Sequence, residues 1–126
     1  MFSDCEVIST YTRKQATEDG VLVDVSKTAK EAGFLFPVAV TRGVWNEIIV
    51  PGPEEIKYGQ SIDGRLRDVL WMLFCAIKQG KSNGDRTDYQ VIATKGKKQI
   101  LHKLYSLCGP GDNGEPVITI LLPWED

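Results

Sequence analysis

The sequence predicts an α+β fold in which an antiparallel β-meander packs on one long helix, with short helices at the N-terminus. Three observations carry this. Apolar residues recur at helical spacing from Ile62 to Ile77, and two β-type runs flank Lys95-Gly96-Lys97-Lys98. A turn-forming phrase, Gly109 to Gly114, then leads straight into the apolar run Val117 to Leu122.

The elements follow in chain order. Thr12-Arg13-Lys14-Gln15 has capping-box spacing and predicts a short helix, which Gly20 ends in a left-handed conformation before the extended Val21-Leu22-Val23. Ser26 is placed to cap a second short helix through Ala32, with Gly33 as its stop and Phe34 to Val38 as an apolar extended exit. Thr41 caps a third helix whose Val44, Trp45, Ile48 and Ile49 share a face, and Pro51 stops it. Pro51 to Gln60 is a polar connector with Glu54 and Glu55 in water.

The main helix is expected from about Ile62 to Gln79. Ile62, Leu66, Val69, Leu70, Leu73 and Ile77 form its core stripe, set against Val117, Ile118 and Ile120. Trp71 falls on the opposite side, near Arg67, Cys75 and Lys78. It calls for a cover, supplied by the N-terminal helices or by a partner. Tyr89 to Thr94 and Gln99 to Leu107 form a hairpin. Val117 to Leu122 is a central strand, and Val21 to Val25 joins the sheet at an edge.

The 126 residues, 42% hydrophobic and 25% charged, suit one globular domain spanning 1–126. The longest apolar run, Val69 to Ile77, is far short of a membrane span, and Met1 to Ile8 lacks the regions of a signal peptide. Cys5, Cys75 and Cys108 are odd in number and far apart, which speaks against a disulfide framework or a zinc site. The expected compartment is the cytoplasm, with no cofactor and no metal. Net charge is −2, yet residues 64–108 carry nine basic against three acidic side chains.

Few groups could carry chemistry. His102 is the single histidine, flanked by Leu101 and Lys103, with no partner for base catalysis in view. Cys108 reads as a small residue at a strand end, and Gly109 to Gly114 lacks the lysine and following helix of a phosphate loop. Polar candidates for a small-ligand site are Tyr11, Arg13 and Asp24, with Arg42 and Arg65. Arg67, Trp71 and Lys78 are the interface candidates. Lys95, Lys97, Lys98 and Lys103 form a basic patch for phosphates, although pI is about 5.4 and hairpin lysines also protect sheet edges.

Several phrases together carry a resemblance. They are Tyr11-Thr12-Arg13, Gln15-Ala16, Asp19 to Ser26, Glu31 to Phe34, Phe36 to Ala39, Thr41 with Val44-Trp45, Gly64 to Leu66, Asp68 to Met72, and Cys108 to Pro123. The chain resembles a family of small bacterial proteins classed as a domain of unknown function and carried by phages, plasmids and other mobile elements. The resemblance covers most of the chain outside Pro51 to Gln60 and Lys81 to Lys98. It implies a role in element maintenance or against host defence. With no catalytic set in the sequence, the expected class is a non-enzymatic accessory or protein-interaction protein, with a protein partner or a second copy bound. The alternative is a small ligand-binding protein or enzyme using the Tyr11 to Asp24 region. A third reading is nucleic-acid binding through the 95–103 lysines.

Overall fold

The computed structural model describes residues 12–57 and 59–125, so the expectations for Tyr11 and Cys5 lie outside the described residues. The capping box opens α1 (Arg13–Glu18). The Thr12 hydroxyl accepts from the Gln15 amide, and the Gln15 side chain accepts from the Thr12 amide, each at 3.0 Å. Gly20, at φ 79°, then turns the chain into β1 (Leu22–Asp24).

The second helix, α2 (Ser26–Glu31), starts differently from expectation, since the Ser26 hydroxyl caps nothing within it. Instead Asp24 Oδ1 accepts from the Ser26 amide at 3.0 Å and from its hydroxyl at 2.5 Å, while Ser26 Oγ accepts from the Val38 amide at 3.1 Å. The serine proton goes to the carboxylate and its oxygen is taken as acceptor by the Val38 amide, so Ser26 ties β1 to β2 and the helix opens one residue earlier, at Val25. After a bend at Leu35 and Phe36, β2 (Val38–Thr41) is buried at every position. Thr41 caps α3 (Arg42–Val44), as its spacing predicts, and the helix widens into a π-helical turn at Trp45–Ile49. Val50 is extended before Pro51, the conformation that a following proline imposes.

The expected connector contains a short helix, α4 (Pro53–Lys57), and one of its two glutamates is not in water. Glu55 is 9% exposed. Its Oε1 accepts from the Gly52 amide at 3.1 Å and lies 3.9 Å from the guanidinium of Arg65. The long helix, α5 (Ile62–Lys78), begins where the Ser61 hydroxyl accepts from the Gly64 amide at 3.0 Å.

Four more strands complete the sheet: β3 (Ser82–Asn83), β4 (Arg86–Lys95), β5 (Lys98–Pro110) and β6 (Pro116–Leu121). Their order is β1-β2-β6-β5-β4-β3. The run from β4 to β6 is the expected antiparallel meander, β3 adds an unexpected two-residue strand beside Arg86 and Thr87, and β1 joins at an edge. What the sequence reading lacks is β2, which lies between β1 and β6 and runs parallel to β6, so the α+β fold has a mixed sheet. Parallel neighbours need a long connection, and here the helices between Arg42 and Lys78 carry the chain to β3 at the far edge, from which the meander returns to β6.

One face of the sheet carries α5. Leu66, Val69, Leu70, Leu73 and Ala76 pack on Val38 and Val40 of β2, Ile118 and Ile120 of β6, Leu104 of β5, and Tyr89, Val91 and Ala93 of β4. A fully buried leucine such as Leu70 or Leu73 contributes about 1.5–3 kcal/mol. The ends of the expected stripe fall outside this core: Ile62 and Ile77 are exposed, and at the C-terminal end Ala76 takes the buried position instead. Val117 is buried on the opposite face, since strand side chains alternate and Ile118 points to the helix. Among the described residues no helix is long and apolar enough to cross a membrane.

Candidate functional site

The N-terminal helix and the Gly109 to Gly114 loop, the two most distinctive phrases of the sequence, meet in space. Asp112 accepts from the Arg13 and Lys14 amides at 2.7 and 3.0 Å, placing a carboxylate on the first turn of α1 where two backbone donors have no partner in the helix. Arg13 in turn crosses to β6, donating to Thr119 Oγ1 at 2.7 Å and to the Ile118 carbonyl at 2.8 Å. Burial lowers its pKa, and the charges of Asp24, Asp112 and Glu115 oppose that shift. A polar cleft of about 200 Å³ opens beside this clasp, between Arg13, Asp24, Asp112 and Glu115.

The ligand candidates thus divide. Arg13 and Asp24 share the cleft, while Arg42 lies just beyond β2 with its Nε on the Gly20 carbonyl at 2.6 Å. Arg65 is elsewhere, 4% exposed on the helix side of the sheet. It donates to the Ile48 carbonyl at 3.1 Å and to the Thr94 carbonyl, tying α5 to the π turn and to β4. Its donors hold the fold together. A second latch, absent from the sequence reading, is Glu125. It accepts from Thr41 Oγ1 at 2.7 Å and from the Leu122 amide at 2.9 Å, and its carbonyl accepts from the Tyr105 hydroxyl. Nothing local in the sequence signals contacts across so long a separation.

The basic patch is split by the pleat. Lys95 and Lys98 pair across the hairpin end on the helix side, whereas Lys103 pairs with Gln90 on the other face. His102 is partly buried, with Nε2 lacking a hydrogen-bond partner among the described residues; burial and then the charges of Lys95 and Arg65 lower its pKa.

The interface candidates form a continuous surface on the side of α5 away from the sheet. Trp71 stacks on Phe74, ring centroids 5.7 Å apart and planes 13° from parallel, and Phe74 meets Phe34 edge to face at 5.8 Å. Lys78 Nζ lies 5.4 Å from the Phe74 ring centroid, within cation–π range. Arg67 bonds Asp63 and Glu31, each at 3.0 Å, which brings α2 to the rim. Although α2 and Phe34 reach this side of the helix, they leave Trp71 55% exposed. Phe74, the ring beneath the tryptophan, was within reach of the sequence through its position three residues on.

The sequence profile of a family described as "Family of unknown function (DUF6573)" matches residues 1–126. No curated protein and no solved structure matches the chain.

Proposed function

Because the chain belongs to the DUF6573 family, whose function is unknown, we propose a role from geometry: a non-enzymatic interaction protein that docks a protein partner on the outer face of α5. One observation carries the reading. Trp71 presents 55% of its surface to solvent while Phe74 stacks beneath it and holds the ring in place. A preordered aromatic flanked by cationic side chains has the composition of a binding hot spot, with little side-chain entropy left to lose on docking. The resemblance to proteins of phages and plasmids supplies the setting: element maintenance or resistance to host defence, in the cytoplasm.

The polar cleft at Arg13 supports a small-ligand site less well. The Arg13 donors that reach β6 already serve Thr119 and Ile118, and Asp112 serves the α1 amides. The hydrogen bonds that a ligand would need are made within the fold. Nucleic-acid binding is likewise less favoured, since the pleat separates Lys103 from Lys95 and Lys98.

Photocross-linking in the native host tests the docking face. A photoreactive side chain at Lys78 should give a discrete adduct with a second protein, reduced by Trp71→Ala. The same group at Gln99, on the far face of the sheet, should give none. Equal adducts from both positions, or an adduct indifferent to Trp71→Ala, would overturn the reading.

A further inference from the structure

The two edges of the sheet are built differently. β1, at one edge, has three residues and is packed by α1, with the Arg42 amide donating to the Val21 carbonyl at its end. At the other edge, β4 is closed at both ends and open between them. β3 pairs with Arg86 and Thr87, while Arg65 takes the Thr94 carbonyl and the Glu55 carboxylate takes the Gly96 amide. From Asp88 to Ile92 no strand lies on the outer side of β4 among the described residues. Tight turns at Gly84–Asp85 and Gly96–Lys97 close each hairpin on a hydrogen-bonded pair. Tyr89 and Val91 therefore direct their backbone groups to β5, while Asp88, Gln90 and Ile92 direct theirs outward.

This open stretch borders a groove of about 580 Å³, with Met72, Cys75 and Gln79 of α5 on one wall and Asp88, Tyr89 and Gln90 on the other. At about 100° per residue, Cys75 and Met72 follow Trp71 around the helix toward the groove, so the groove adjoins the outer face of α5. Of the charged side chains on its lining, Asp88 is paired with Arg86 at 3.0 Å, whereas Lys81 and Lys103 have no ion-pair partner among the described residues. The groove is cationic.

We propose that the partner docked on the outer face of α5 lays an extended acidic segment in this groove, as a strand added beside Asp88 to Ile92. The inference rests on the docking reading above and names the part of the partner that enters. Backbone donors and acceptors turned outward on alternate residues suit an added strand rather than a helix. The gap is about 17 Å long at 3.4 Å per residue and closed at both ends. An entering segment must leave the sheet after about five residues, as a tail or loop does and the long edge of another folded sheet does not. Its side chains opposite Tyr89 and Val91 point toward α5 and meet Met72 and Cys75, which calls for apolar residues there. A residue opposite Gln90 points to the other face, where Lys103 is the cross-strand neighbour of Gln90, and that position calls for an acid.

The probe is a random-peptide display library panned on the wild-type chain, with the selected peptide then measured by calorimetry and amide hydrogen exchange. The peptide should alternate apolar and acidic residues and protect the Asp88, Gln90 and Ile92 amides, which exchange freely in the chain alone. Ile92→Pro removes an outward donor and Lys103→Glu reverses a charge; both side chains are exposed, and thermal unfolding checks that each variant folds. Each should weaken the peptide about tenfold or more, while Lys97→Glu, the same charge change at the hairpin turn outside the groove, leaves affinity unchanged. Strand addition would be overturned by selection of no peptide, by a peptide that leaves those amides unprotected or ignores Lys103→Glu, or by amides already protected in the chain alone. The Lys78 adduct reports on the docking face by itself. An adduct without peptide binding removes the strand and keeps the face, and peptide binding without an adduct removes the face.

Discussion

Arg65 and Tyr89 show how differently two buried polar side chains can act. Arg65, 4% exposed, supplies donors to two backbone carbonyls and has Glu55 at 3.9 Å, so its removal leaves two buried acceptors unpaired and takes away the cation nearest Glu55. Arg65→Ala should cost about 3 kcal/mol, read as a lower denaturant midpoint at unchanged m-value. Tyr89 is the opposite case. Its hydroxyl is buried with no hydrogen-bond partner among the described residues, and burial pushes the phenol pKa far up. Tyr89→Phe keeps the ring in the core and discards an unsatisfied group, so stability should hold or rise by about 1 kcal/mol. A loss in the same measurement would reveal a partner for that hydroxyl.

At the scale of elements, α1 is held from outside. A helix of six residues is marginal alone, and Asp112 adds acceptors for two first-turn amides from a loop distant in sequence. Asp112→Ala should destabilise the chain by about 1 kcal/mol and speed exchange of the Arg13 and Lys14 amides above all others. Legibility in the sequence follows the range of the interaction. The Thr12 and Thr41 caps, the middle of the α5 stripe and both hairpins of the β4 to β6 meander are local patterns, and the structure has them, whereas the equally local Ser26 cap gave way to the bonds with Asp24 and Val38. The parallel docking of β2 on β6, the burial of Glu55 beside Arg65 and the Asp112 cap all depend on residues far apart in the chain. A polar side chain reads as solvated until its distant partner is known. For the candidate surface, helical spacing alone placed Trp71 opposite the core. The stacking on Phe74 and the incomplete cover from α2 needed the packing of the helices.

Over the whole molecule, the two sides of α5 serve different ends. Toward the sheet it closes the core through Leu66, Val69, Leu70 and Leu73; away from it Trp71, Phe74 and Lys78 form a surface that the described parts of the fold leave open. A core residue and an interface residue respond differently to truncation, and that difference is measurable in one variant. Once the partner cross-linked at Lys78 is purified, its affinity for the wild type and for Trp71→Ala should be compared by calorimetry, with thermal unfolding of both proteins alongside. Trp71→Ala should unfold at the wild-type temperature and bind with a loss of about 2 kcal/mol, which corresponds to roughly thirtyfold. Equal affinity for the two proteins, or a variant that fails to fold, would contradict the assignment of this face to partner binding.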